Sequence, residues 1–276
     1  MGKSTDNNNS QAVYENRVVA FIDLLGFREL VSFSALHPEA AGHIYSFLIG
    51  IQGQQVMGGL YGGIPTFGLD GTREVKLARD LPNTENMLEL IKTHWPIEIT
   101  QFSDSLVLSC KAEDGATSIL LLEFIAKLML GAFQHGFLLR GGITLGLLSH
   151  QEGGPLFGPA FIEAYALESK YALWPRIIVD KTVVDLLVRT VQDLPKPKPI
   201  DQLFVDAIDI EGKRQLTMAT SYRYLSMFGC LVFDVNDATE KLKTLLQTYA
   251  TDEKLAGRYG ALLNDWLALK NTGEVL

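Results

Sequence analysis

The 276-residue chain is 47% hydrophobic and carries a formal net charge of −8. Such a composition supplies a sizeable core and excludes general disorder, while the acidic balance and the lack of any long Lys/Arg run exclude nonspecific nucleic-acid binding. Two cysteines, Cys110 and Cys230, sit in apolar runs without metal-ligand spacing, so they read as buried free thiols in a reducing compartment and no zinc site is expected.

The polar N-terminus, residues 1–15, lacks the apolar centre of a signal peptide and reads as a flexible tail. The longest apolar stretch, Ile119 to Phe133, is interrupted by Glu123 and Lys127 and is too short for a membrane span. The expectation is a soluble cytoplasmic protein with neither membrane nor nucleic acid as a partner.

Arg17 to Ile22 is rich in β-branched and aromatic residues and predicts a buried strand that ends at Asp23 before Leu24-Leu25-Gly26. A carboxylate at the end of a dry strand has to be paired, hydrogen-bonded or metal-bound. Gly26 allows a close turn, and the next segment can begin a helix whose first amides would face a ligand beside Asp23. Capping of that helix by Asp23 is an equally good reading at this point.

Two helical pieces, Arg28 to Leu36 and Glu39 to Ile51, are broken around His37-Pro38. Gln52 to Asn83 is glycine-rich without a sustained period and reads as a loop, lacking the Gly-Lys-Ser/Thr ending of a phosphate loop. A short helix is predicted over Thr84 to Thr93. Ile97 to Phe102 and Leu106 to Cys110 then form a hairpin with Asp104 at its tip, where an aspartate is also a common turn former.

The clearest helix spans Asp114 to Gln134 and is closed by Gly136. Phe137 to Leu148 is a strand whose Gly141-Gly142 pair implies a bulge or a close approach by another backbone or a ligand. Arg140 precedes that pair, as a salt-bridge partner or a catalytic contact. A helix over Pro159 to Ala172, with polar members Glu163, Glu168 and Lys170, leads to a strand at Arg176 to Val179 and a helix at Lys181 to Val191. The order implies an α+β fold: a mainly antiparallel sheet with helices on one face.

Pro195 to Pro199 marks a boundary. It divides a domain over residues 16–192 from a C-terminal extension over 193–276. In the extension, Leu203 to Ile210 and Tyr222 to Phe233 predict strands. Ala238 to Leu269 predicts one or two helices, interrupted near Gly257 or Gly260. No chemical motif stands out there.

In such a sheet Asp23 and Asp104 can meet, and two carboxylates repel unless a proton or cation lies between them. Hard oxygen donors favour Mg²⁺ or Mn²⁺.

The ordered set of motifs resembles the class III nucleotidyl (adenylate/guanylate) cyclases. Phe21-Ile22-Asp23-Leu24-Leu25-Gly26-Phe27 looks like their first-strand motif and Phe102-Ser103-Asp104-Ser105 like their hairpin Gly-Asp motif, with Ser103 in the glycine's place. Leu139 to Gly146 is similar to their Arg-Ile-Gly-Ile strand, and Gly158 to Glu168 followed by Pro175 to Val179 to their closing helix and strand. The likeness covers roughly residues 17 to 185. It implies a ferredoxin-like core and a homodimer that converts a nucleoside triphosphate to a 3′,5′-cyclic nucleotide and pyrophosphate by two-metal catalysis.

Carried over by position, the metal ligands would be Asp23, a backbone carbonyl at or beside Leu24, and Asp104. The amides of Leu25, Gly26 and Phe27 would meet phosphate, and Arg140, Lys170 or Arg176 would supply catalytic cations. The base-selecting positions fall near Thr100 and Pro155 and lack the purine-reading residues; the family's catalytic asparagine and arginine fall near Ile162 and Ala166. These departures resemble the bacterial pyrimidine cyclases of the Pycsar antiphage systems. They also fit a noncatalytic, cyclase-like nucleotide-binding or regulatory protein.

Overall fold

The alternation along the first strand sets up a two-sided sheet. In β1 (Glu15–Leu25), Val18, Ala20, Ile22 and Leu24 enter the main core, whereas Arg17, Val19, Phe21 and Asp23 point to the opposite face. The computed structural model describes residues 14–61, 97–113, 115–151, 153–192, 199–207, 209–227, 235–248 and 250–271. Most of the polar tail, most of the glycine-rich stretch, the helix expected at Thr84 to Thr93, most of the proline break and Cys230 lie outside the described residues.

After β1 come α1 (Phe27–Ser34) and α2 (Pro38–Tyr61), then a hairpin of β2 (Glu98–Phe102) and β3 (Ser105–Lys111), α3 (Gly115–Gln134) and β4 (Leu138–His150). The order β2-β3-β1-β4, with β1 antiparallel to both β3 and β4, is the split β-α-β arrangement of a ferredoxin-like core. α2 continues past Ile51 to Tyr61, so the helix takes up the first part of the stretch expected to be loop. α3 packs on the main-core face and buries nearly its whole length, from Thr117 to Phe133. Among the described residues it alone is long and apolar enough to cross a membrane, and most of it is inside the fold.

A short β5 (Leu156–Phe157) folds back on the end of β4, and α4 (Pro159–Tyr171) follows. The expectation of helices on one face is corrected here: α4 lies across β1 and β4 on the other side, with Ala160 and Ala164 against Val19, Phe21 and Leu148. Gly142 makes this possible. A Cβ there would stand 2.3 Å from the carbonyl oxygen of Ala164 and 2.5 Å from Leu167 Cβ, so the helix sits where any other side chain would be.

The sheet then grows away from the hairpin. β6 (Ile177–Asp180) pairs parallel to β4, and β8 (Lys213–Leu216) pairs antiparallel to β6 and to β7 (Val205–Asp206). α5 (Lys181–Gln192) covers the core side with Val183, Val184, Leu187 and Val191.

The strand expected from Tyr222 is instead α6 (Met218–Ser226). Its start is fixed by reciprocal bonds between Thr217 and Thr220: each backbone N–H donates to the other's hydroxyl, at 2.9 and 3.2 Å. α7 (Val235–Thr248) and α8 (Glu253–Asn271) complete the chain, and α8 runs unbroken through Gly257 and Gly260. Trp266 of α8 is fully buried in the same core cluster as Val18 and Leu128, stacks edge-on to Tyr222 at 5.0 Å and donates to Thr239 Oγ1 at 3.0 Å.

Candidate functional site

The site face is the polar side of β1, β3 and β4. Asp23 is opposite Ser105 on one neighbour and Arg140 on the other, so all three side chains leave the same side of the sheet. Arg140 Nε donates to Asp23 Oδ2 at 3.0 Å, and Ser105 Oγ approaches Asp23 Oδ1 at 3.4 Å. Asp104 is drawn to the same place because the N–H of Leu24 donates to its backbone oxygen at 3.0 Å.

Burial raises the pKa of Asp23 against the lowering effect of Arg140, and the nearby charge of Asp104 raises it further. The hairpin turn that carries Asp104 holds Ser103 at φ 55°, the sole positive φ of a non-glycine among the described residues. The backbone there has the conformation that suits the glycine of the resembled motif.

A third carboxylate arrives from the helix. Glu168 of α4 is 2% exposed, and its Oε1 lies 2.8 Å from Arg140 Nε. The Nε–H is aligned with Asp23, and Glu168 Oε1 makes an ion contact without a hydrogen bond. Its pKa is raised, first by burial and in smaller part by Asp23, with Arg140 opposing. Glu168 was not singled out from the sequence as a site residue. The available signal was its spacing, four residues beyond Ala164 and eight beyond Ala160 on the inner stripe of α4, where a charge is out of place.

Beside Arg140 opens a cavity of about 500 Å³, lined by Arg140, Leu173, Trp174, Gly257, Arg258 and Ala261. Arg258 comes from α8, in the extension where no motif had been read. Gly257 and Ala261 are one turn apart, and their small size leaves space against Trp174.

The other expected residues are distributed as follows. Leu24 turns its side chain into the main core, leaving only its backbone to the site. Leu25 ends β1, Gly26 caps α1 in the left-handed conformation at φ 80°, and Phe27 is buried as the first residue of α1. Lys170 is exposed near the end of α4.

Arg176 is 2% exposed and engaged elsewhere through its Nη atoms. Its Nη atoms donate to both carboxylate oxygens of Asp209 at 2.7 and 2.6 Å, to Gln215 Oε1 and to the carbonyl of Tyr171. This guanidinium ties β6 to β8.

Thr100 and Pro155 share one corner. His150 at the end of β4 pairs with Leu156, next to Pro155, and its Nε2 lies 2.8 Å from Thr100 Oγ1. On the other side of the ring, Nδ1 lies 2.8 Å from Ser109 Oγ, which accepts from Arg17 Nε at 2.9 Å. His150 is 4% exposed, and burial with the neighbouring Arg17 charge lowers its pKa to about 4, so the ring is neutral.

Among the described residues no group of three or more His, Cys, Asp or Glu is arranged to hold a metal ion. Two carboxylates with further oxygens supplied by phosphate and water are nonetheless an ordinary Mg²⁺ donor set. Asp23 and Asp104 fit that description, since the charge of Asp104 raises the cost of ionising Asp23 and a cation between them would offset it.

No family model matches the chain, and no curated protein does. Among solved structures, the chain is similar to a bacterial light-regulated adenylyl cyclase at 12% identity, over 82% of this chain and 99% of that one, with a TM-score of 0.43. The fold and the site rest instead on strand register and side-chain geometry.

Proposed function

We propose that this chain is a nucleotide cyclase, converting a nucleoside triphosphate to a 3′,5′-cyclic nucleotide and pyrophosphate. The observation that carries the reading is the juxtaposition of Asp23 and Asp104, joined through the Leu24 N–H to the Asp104 carbonyl and coupled by charge. Asp23, Asp104 and a backbone carbonyl at or beside Leu24 would hold Mg²⁺ or Mn²⁺, which supplies Lewis-acid activation of the 3′-hydroxyl and neutralisation of phosphate charge.

The protein's own groups do the rest by position. The amides following Asp23 at the start of α1 offer donors to phosphate oxygens. Arg140, held by Asp23 and Glu168, and Arg258 line one cavity and offer two guanidinium groups to the triphosphate or the departing pyrophosphate. They take the place of the family's asparagine and arginine, whose positions hold Ile162 and Ala166. Lys170 stays at the periphery, and Arg176 serves the sheet.

A homodimer is part of the proposal. It is supported by the exposed Ile162 on the outer side of α4 and by Tyr165, half-exposed at the flank of the helix where its ring meets Phe21. The finer assignment, to pyrimidine nucleotides in antiphage signalling, is supported by the uncharged Thr100 and Pro155 at the base-selecting positions.

The test is incubation of the purified protein with Mn²⁺ and each of the four common ribonucleoside triphosphates, with products identified by mass. A cyclic product from at least one, lost in Asp23→Asn, is expected; no product with any of them contradicts the reading. A second reading, a nucleotide-binding protein without turnover, is favoured by the ion pair that Arg140 already makes with Asp23. In that case nucleotides bind and no product forms.

A further inference from the structure

The buried chain of hydrogen bonds from Arg17 to Thr100 has a direction. Arg17 is donor-only, so Ser109 Oγ must accept from its Nε. Ser109 is fully buried, and its hydroxyl proton has one remaining partner among the described residues, His150 Nδ1. Protonating Nδ1 would strand that hydroxyl proton in the interior. Nδ1 is therefore the acceptor, and in the neutral ring the proton resides on Nε2. Nε2–H donates to Thr100 Oγ1, and the Thr100 hydroxyl, half-buried and with His150 as its sole partner among the described residues, is left to donate outward.

Strand register puts that donor within reach of a nucleotide at Asp23. Asp23 is opposite Ser105, Ser105 opposite Phe102, and Thr100 is two residues from Phe102 on the same side of the sheet. Two strand spacings across and two residues along make about 12 Å, comparable to the span from phosphate to base edge. Phe102, half-exposed beside Thr100, offers an aromatic ring to the same group.

We infer that the Arg17–Ser109–His150 relay fixes Thr100 as a hydrogen-bond donor that selects a base with a carbonyl oxygen over its amino counterpart: uracil over cytosine, or guanine over adenine. His150 and Ser109 are positioning residues; Thr100 touches the base. The inference rests on the nucleotide-site reading of the preceding section. A charged donor at one end of the chain determines which way every hydroxyl in it points, and the discrimination comes from a base carbonyl accepting the Thr100 proton, which an amino group would leave without an acceptor once the base covers it.

The test measures the affinity of the full chain for UTP, CTP, GTP and ATP with Mn²⁺ by calorimetry, in the unaltered protein and in Thr100→Val and Ser109→Ala. At least one keto nucleotide is expected to bind about tenfold more tightly than its amino partner, the worth of one well-made hydrogen bond. Thr100→Val should reduce that ratio below about threefold, and Ser109→Ala, which frees the tautomer, should reduce it in the same direction. A merely structural relay would lower all four affinities together.

Nucleotide binding without keto preference, or a ratio untouched in Thr100→Val, overturns the inference while leaving the nucleotide site in place. Failure of all four to bind overturns both. Ring ¹⁵N spectra of histidine-labelled protein provide a ligand-free check, with the His150 signals identified by their loss in His150→Gln. A protonated Nε2 supports the relay, and a protonated Nδ1 overturns it.

Discussion

The two faces of β1 are built from alternate residues of one segment and are stabilised in opposite ways. On one side Val18, Ala20, Ile22 and Leu24 disappear into an apolar core under α3. On the other, Arg17 and Asp23 flank Val19 and Phe21, and each charge is matched by strand neighbours or by α4. The core face needs only volume and apolar surface. The site face needs named partners, because a buried charge that loses its partner pays the full cost of desolvation. Sequence changes that a core absorbs by repacking should therefore be felt on the site face as unpaired charge.

The largest effect should come from Arg140, whose side chain is about three-quarters buried between Asp23 and Glu168. Arg140→Ala leaves two carboxylates facing each other and is expected to destabilise the fold by about 3–5 kcal/mol, measured by urea unfolding. Adding Glu168→Gln should recover part of that loss. If the double variant is no more stable than the single one, the guanidinium was not balancing Glu168.

Acid should separate the faces next. His150 is neutral in the folded protein with a pKa of about 4, against an ordinary value near 6.5 in the unfolded chain. Between those values the unfolded state binds the extra proton, so stability falls as pH drops from about 6.5 to about 4, by about 3 kcal/mol for this one ring. His135, also held at about 4 by burial, contributes in the same direction. The raised pKa values of Asp23 and Glu168 act the other way, since on acidification the folded state takes up their protons before the unfolded chain does. The difference between the stability–pH curves of the unaltered protein and His150→Gln isolates the ring. A flat difference would mean that His150 takes up its proton in the fold as readily as in the unfolded chain.

The seat of α4 is a smaller but more local probe. Gly142→Ala places a methyl group 2.3 Å from a backbone oxygen of that helix, so the helix has to lift. A loss of about 1–3 kcal/mol is expected, together with a fall in the apparent pKa of Glu168 as water reaches it. The smallest change is at the hairpin, where Ser103→Gly relieves φ 55° and should change stability by under about 1 kcal/mol, the strain relieved being offset by glycine's greater freedom when unfolded.

Much of this was legible from residue pattern. The alternation of β1, the length of α3 and the presence of the hairpin announce themselves through apolar period and turn chemistry, although Ser105 belongs to the strand rather than to the turn, and near the ends of those elements stand Asp23 and Asp104. The face chosen by α4 was not legible, because Gly142 indicates only that something comes close. α6 was misread because Tyr222 and Tyr224 favour strands, while its start depends on Thr217 and Thr220 bonding each other rather than on an acidic third residue.

Glu168 and His150 were passed over because nothing in the sequence sets them apart from the other polar residues of their elements, and their partners come from strands distant in sequence. Arg258 is 118 positions from Arg140, and only the folding of α8 against the sheet brings it to the same cavity.

The central claim is that the site face keeps Asp23 and Asp104 together for a divalent cation and a nucleotide. The most direct measurement is the titration of Mn²⁺ by electron paramagnetic resonance in the presence of a non-hydrolysable nucleoside triphosphate, comparing the unaltered chain with Asp23→Asn and Asp104→Asn. Saturable binding that is lost in both variants, each shown by urea unfolding to be folded under the conditions of the titration, is the predicted result. Failure of the unaltered chain to bind Mn²⁺, or binding that survives both substitutions, would contradict it.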